Sequence, residues 1–297
     1  MEREKFRIIP FRLSAMDKSR YIGYTLTMIR MIALDLDDTL LRSDLSISFR
    51  TRSAVKRAAA AGVLVVLASG RVPASMGQFG KLLGMRRRRG YYVCHNGSLI
   101  MDSLTGNTLY EIKIPRETAL IAYDLAAAEG FPVQIYENEQ MYISRSNEYT
   151  NYDQKLTGLK QIVVDNFREM AGAGCYKLLV PGDPMLLAPL LSLFQTYLGD
   201  DATLFTSKPY FLEVLPPGTD KGAALAWIAA KEGIPREEVM AVGDSMNDEA
   251  MIRWAGFGVA MCNGDKQVQA AARLVTPKTN DDDGVAGLIE RYVLGRG

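Results

Sequence analysis

One histidine and three widely spaced cysteines, Cys94, Cys175 and Cys262, are all the imidazole and thiolate ligands this 297-residue chain offers. There is no CxxC pair and no His/Cys ligand spacing. That argues against both a zinc site and a disulfide framework, and a reducing, cytoplasmic setting is expected. Long apolar runs are also missing. None approaches the ~20 residues needed to cross a bilayer, so no membrane partner is expected. Neither sign of charge is in excess: the formal net charge is +1, which gives no reason to expect nucleic acid or an anionic surface. The one dense cationic run, Arg86 to Arg89, has no interleaved aromatics and reads as a solvated loop before a strand at Tyr91. What remains is 48% hydrophobic and 23% charged, the balance of a soluble globular enzyme of one large domain or two modest ones.

The first 27 residues show no helical or strand period. Arg7, Pro10 and Arg12 interrupt every apolar run, so a signal-peptide core is absent. Residues 1–27 read as a disordered extension or as an upstream start, with Met28 and Met31 standing just before the first convincing strand.

That strand is MIALDL, Met31 to Leu36, an apolar run ending in acids. A helix capped by Ser46 or Ser48 is expected to run to Ala61, with Gly62 at its C-terminus. VLVVLA, Val63 to Ala68, is a second buried strand, and Pro73 suits the first turn of another helix. The strand–helix alternation returns at Lys221 to Glu232, Val239 to Val242, Asp248 to Trp254 and Phe257 to Met261, and implies a parallel sheet with right-handed crossovers. The middle differs. His95-Asn96-Gly97-Ser98 and Thr105-Gly106-Asn107 look like turns. PVQIY and QMYIS form a hairpin, Tyr176 to Val180 a strand, and helices follow Pro115 and Pro184. The expectation is an α/β, Rossmann-like core over 28–112 and 207–297, with a smaller α+β domain inserted at 113–206.

Four segments carry potential chemistry: Asp35-Leu36-Asp37-Asp38-Thr39, Ser69-Gly70, Lys221, and Gly243-Asp244-Ser245-Met246-Asn247-Asp248. Taken singly, each has a plain reading as a turn, a loop or a helix cap. Three of them, however, directly follow apolar strands, and the carboxyl ends of parallel strands share one crevice. Asp35, Asp37, Asp244 and Asp248 gathered there would repel one another unless a cation intervened, and oxygen ligands alone suit Mg2+. Lys221, the Ser69 hydroxyl and the Gly70 amide suit phosphate oxygens. A carboxylate can attack phosphorus, and Asp37, two residues after Asp35, could act as acid and base.

DLDDTLL, ASGR, Lys221 and GDSMND together resemble the four motifs of the haloacid dehalogenase superfamily of phosphatases. HNGSLI and TNDDDGVA resemble its Cof-type branch, whose class IIB cap lies between the second and third motifs. The resemblance runs from about Met28 to the C-terminus. It implies that Asp35 is the nucleophile and Asp37 the acid/base. It implies Mg2+ held by Asp35, the Asp37 main-chain carbonyl and Asp244, with Thr39 and Asp248 in supporting places. The backbone of Leu36, Ser69, Gly70, Lys221 and Asn247 would hold the phosphoryl group. Asp38 stands where glycine is common in the family, and aspartate tolerates unusual backbone angles.

The resemblance implies a small phosphorylated substrate, with sugar phosphates foremost. Alternatives are a phosphorylated cofactor such as pyridoxal phosphate or flavin mononucleotide, a phosphomutase reaction, and a non-catalytic sensor, against which the Asp35/Asp37 pair speaks. Cap contacts are expected among Tyr136, Glu137, Asn138, Tyr142, Arg145 and Tyr152, and the protein is expected to be a monomer or weak homodimer.

Overall fold

A computed structural model describes residues 7–8, 28–137 and 139–295. Apart from Arg7 and Ile8, the N-terminal 27 residues lie outside the described ones, as does the expected cap contact Asn138. In chain order the first elements are β1 (Arg7–Ile8), β2 (Met31–Leu34), α1 (Phe49–Ala60), β3 (Leu64–Ala68), α2 (Pro73–Leu83), β4 (Gly90–Cys94), β5 (Leu99–Asp102) and β6 (Thr108–Glu111). Next come α3 (Arg116–Ala128), β7 (Gln134–Glu137), β8 (Gln140–Ile143), α4 (Glu148–Thr157), β9 (Lys160–Val163), α5 (Phe167–Gly172), β10 (Leu178–Pro181) and α6 (Pro184–Leu198). The chain closes with β11 (Thr203–Lys208), β12 (Phe211–Leu215), α7 (Lys221–Glu232), β13 (Val239–Gly243), α8 (Glu249–Trp254), β14 (Phe257–Ala260), α9 (Lys266–Ala271), β15 (Leu274–Val275) and α10 (Gly284–Tyr292).

By packing, the chain divides into two compact units. Of the described residues, those within 1–68, 80–91 and 225–297 form the first, and those within 69–79 and 92–224 the second. The first unit holds strands in the order β1-β15-β14-β13-β2-β3, parallel except for β1. β2, β3 and β13 are buried along their whole length, which is why they read as unbroken apolar runs rather than as alternations. α1 begins where the Ser48 side chain accepts from the Thr51 N–H at 3.0 Å, the N-cap bond that its hydroxyl is suited to make. Gly62, at φ +91°, stands just past its end.

The second unit contains the β5–β6 hairpin and a six-stranded sheet in the order β11-β12-β10-β7-β8-β9. The expected PVQIY/QMYIS hairpin is β7–β8, paired from Gln134↔Ile143 to Glu137↔Gln140. This sheet runs on to Leu215, beyond the expected insertion end at 206. Side chains alternate across a strand. Ile135, Leu178, Val180, Leu212 and Val214 therefore pack with α3, α5 and α6 in one core, while Tyr136, Leu179 and Phe211 pack with Met141, Ile143 and Val72 in another. The same alternation places Gln134, Lys177 and Glu213 on the second face. Sequence reading overlooked α4, α5, β9, β11 and β12 in this unit and α9, β15 and α10 in the first; none of them is longer than 10 residues. Among the described residues no helix is long and apolar enough to cross a membrane.

Candidate active site

In the first unit, β13 and β2 are parallel neighbours paired Val242↔Leu34, and the Asp35 N–H donates to the Val242 carbonyl at 3.0 Å. Asp35 and Asp244 thus leave the same end of adjacent strands. With Asp248 they form a group of buried carboxylates whose oxygens lie within 4.8 Å of one another. All three are nearly inaccessible, Asp248 entirely so. Asp248, expected to gather with these acids and given a supporting place by the resemblance, is the third carboxylate of this group.

The local chain is built to hold that geometry. After β2, residues Leu36–Leu40 wind through a wide turn closed by Leu40 N–H to Asp35 C=O at 3.3 Å and Leu41 N–H to Leu36 C=O at 2.8 Å. Asp38 takes φ +57° there, the left-handed conformation for which glycine is usual and aspartate is tolerated. The Asp38 carbonyl accepts from the Asn263 side chain at 2.8 Å. Asp37 lies in the same turn, half-buried. Both Asp244 oxygens are engaged: Oδ1 accepts from the Thr39 hydroxyl at 2.8 Å and Oδ2 from the Ser245 hydroxyl at 2.6 Å. Asp248 Oδ2 accepts the Asp244 N–H at 2.9 Å and the Ser245 N–H at 3.0 Å. A side chain at Gly243 would bring its Cβ within 2.5 Å of Asp248 Cβ, so only glycine leaves that carboxylate its place. Asn247 lies in the short turn Met246–Asp248.

The donor set is oxygen only, with no histidine or cysteine among the three, and it fits a hard divalent cation such as Mg2+. Such a cation would be held by Asp35 and Asp244, with Asp248 beside them.

In the second unit, Ser69 and Gly70 follow β3, and Lys221 opens α7 with no exposed surface. Asp220 caps α7: its Oδ1 accepts the Ala223 N–H at 2.7 Å. The turn His95–Gly97 touches both segments. The Asn96 N–H donates to the Ser69 carbonyl at 3.0 Å, and Gly97, at φ +117°, sits so close to Asp220 that a Cβ would lie 2.4 Å from its carbonyl oxygen. Around this turn lies a polar cluster that sequence reasoning did not identify as functional. Asn96 Nδ2 donates to Glu213 Oε2 at 2.7 Å, and Lys177 Nζ reaches the same oxygen at 3.3 Å. The signal was present: Lys177 and Glu213 are single charges inside the apolar runs YKLLV and FLEVL, and a charge in a buried strand needs a partner.

Three of the residues expected to contact the leaving group have other partners. The Tyr136 hydroxyl donates to Asp153 Oδ2 at 2.6 Å, and burial beside that carboxylate raises its pKa well above the usual phenol value. The Tyr142 hydroxyl donates to Gln140 at 2.9 Å. Tyr152 packs edge-on to Tyr149 and is partly exposed. Burial, and then the Lys177 charge, push His95 down to about 3, so this imidazole is neutral near pH 7.

The comparisons agree with the geometry. The family model for haloacid dehalogenase-like hydrolases matches residues 32–289. A haloacid dehalogenase-like hydrolase from Bacteroides thetaiotaomicron superposes with a TM-score of 0.80 at 34% identity, covering 89% of this chain and 99% of that one. The 5-amino-6-(5-phospho-D-ribitylamino)uracil phosphatase YcsE of Bacillus subtilis is 28% identical over 281 residues, 90% of this chain and 96% of that protein. The HAD subclass IIB sugar phosphatase BT4131 shares the fold, with a TM-score of 0.73 at 23% identity over 89% of this chain and 98% of its own. With its acidic motifs on parallel strand ends and a family model matched along most of its length, the chain belongs to the haloacid dehalogenase-like hydrolases.

Proposed function

We propose that the protein is a Mg2+-dependent phosphatase of small phosphorylated metabolites, sugar phosphates foremost, acting through an aspartyl phosphate on Asp35. The observation that carries this reading is the buried Asp35–Asp244–Asp248 group at the ends of adjacent parallel strands. Carboxylates so close are stabilised in their ionised form by a bound cation, and an ionised Asp35 is a nucleophile.

In this reading a carboxylate oxygen of Asp35 attacks phosphorus, the bond to the leaving oxygen breaks, and Asp37 gives that oxygen its proton. Asp37 then takes a proton from water as the water oxygen attacks phosphorus, inorganic phosphate departs, and Asp35 is restored. A bound Mg2+ would supply Lewis-acid stabilisation of the phosphoryl oxygens. Lys221, the Ser69 hydroxyl, the Gly70 and Leu36 amides and Asn247 hold those oxygens, with Thr39 fixing Asp244 through its 2.8 Å bond. The inserted domain, from about residue 113 to the end of β12 at Leu215, acts as the cap that selects the leaving group. The sugar-phosphate preference is supported by the ribityl phosphate in the name of the Bacillus relative and by the sugar phosphatase of like fold.

The test is phosphate release from a panel of sugar phosphates, pyridoxal phosphate, flavin mononucleotide and p-nitrophenyl phosphate, with kcat/KM for each, in Mg2+ and in EDTA. Release that EDTA abolishes, with the highest kcat/KM on a sugar phosphate, is expected. Release indifferent to chelation removes the cation from the reading, and transfer to an added sugar alcohol at a rate comparable to hydrolysis replaces it with a phosphomutase.

A further inference from the structure

Three successive carbonyls in the Ser69–Arg71 loop are tied back. The Ser69 carbonyl accepts from the Asn96 N–H at 3.0 Å, the Gly70 carbonyl from Lys177 Nζ at 3.3 Å, and the Arg71 carbonyl from the His95 N–H at 3.1 Å. In a trans peptide the N–H points opposite to the C=O. Pinning the Ser69 oxygen therefore aims the Gly70 N–H away from the tether, and pinning the Gly70 oxygen fixes the next peptide, whose Arg71 N–H donates to the Ser69 hydroxyl oxygen at 3.2 Å. Two of the three donors are backbone groups of one turn. The third is the ammonium of Lys177, the residue just before β10, and it is buried with its partner: Lys177 is 6% and Glu213 3% exposed. Glu213 Oε2 accepts from both Lys177 and Asn96, so one carboxylate oxygen joins the two tethers. Gly70 packs directly on the Asn96 amide, where a Cβ would come within 3.1 Å of Nδ2.

We propose that Glu213, Lys177 and Asn96 form a positioning assembly that sets the direction of the Gly70 amide and the Ser69 hydroxyl toward the phosphoryl group. This rests on the phosphatase reading above. An ion pair buried for stability alone would be an odd choice, because well-packed apolar replacements of such pairs are often as stable or more so. Donors to a transferring phosphoryl group, by contrast, lose about 100-fold in rate for a misplacement of about 1 Å.

That contrast supplies the test. Lys177→Met/Glu213→Leu removes both charges while keeping volume, and is compared with the wild-type protein on p-nitrophenyl phosphate. The expected result is a melting temperature within a few degrees of wild type and kcat/KM lower by ~100-fold. The inhibition constant for inorganic phosphate should rise ~10-fold or more, while the Mg2+ concentration for half-activation stays within about twofold. Wild-type kcat/KM and phosphate inhibition in the double variant would overturn the proposal, as would a loss accompanied by an equal loss of Mg2+ activation. If the double variant melts early, Glu213→Gln decides on the same two constants: weaker phosphate inhibition supports the assembly, and unchanged inhibition overturns it. A wild-type protein that neither releases phosphate nor is inhibited by it fails at the phosphatase reading instead.

Discussion

Asp248→Asn is expected to raise the melting temperature in EDTA and to shrink the further rise that Mg2+ gives. Asp248 is wholly buried, with carboxylate oxygens of Asp35 and Asp244 within 4.8 Å. At that distance and an effective dielectric of about 20, each like-charged pair repels by roughly 3 kcal/mol, and the amide removes two such pairs. Against this stand the two backbone donors to Oδ2, at 2.9 and 3.0 Å. An amide oxygen still accepts both, giving up about 1 kcal/mol apiece of charge assistance. The balance without cation favours the variant by a few kcal/mol, on the order of 5–10 °C for a chain of this size. With cation the difference narrows. The wild-type protein gains about 2.7 kcal/mol at a hundredfold excess over the dissociation constant, and the variant, one charge poorer, gains less at the same concentration. Calorimetric melts of both proteins in EDTA and in excess Mg2+ measure the two differences. A variant that melts below wild type in EDTA, with an undiminished Mg2+ shift, would refute the idea that these carboxylates are a charged cation seat.

Asp35→Asn should lower kcat on p-nitrophenyl phosphate by ~1000-fold or more, the scale for removal of a nucleophile; near-normal turnover excludes Asp35 from that role. Gly97→Ala puts a Cβ 2.4 Å from the Asp220 carbonyl at φ +117°, and should cost about 2–3 kcal/mol in urea unfolding, whereas Gly106→Ala, with open space around it, should cost less. The folded pKa of His95, about 3, lies below the ordinary 6.5. The folded protein therefore binds fewer protons than the unfolded chain, and stability falls as pH drops from about 6.5 toward 3, by at most about 1.4 kcal/mol per unit from this group. His95→Gln should flatten that slope in pH-dependent urea midpoints; an unchanged slope would show that His95 does not set it.

Much of the first unit could be read from the sequence because buried parallel strands are continuous apolar runs, and MIAL, LVVLA and VMAVG each end at a residue with chemistry. The spacing of Asp244 and Asp248 was equally plain, since both fall within one short turn after a strand. The second unit was harder. Its sheet is mixed and its faces alternate, so Lys177 and Glu213 looked like interruptions of apolar strands rather than members of one cluster. Asn96 stands 117 positions before Glu213, so nothing local hinted at their pairing.

What the sequence alone determined was which residue types follow which strands, because strand burial and helix capping are local and leave their period and their punctuation in the chain. Only the tertiary structure decided that Asp248 lodges against Gly243 and takes the Asp244 and Ser245 N–H groups, that Thr39 holds Asp244 across 205 positions, and that one Glu213 oxygen joins Asn96 to Lys177. Those contacts depend on strand order, on register and on the absence of a Cβ at Gly243, and none of these is written in the spacing of the residues they bring together.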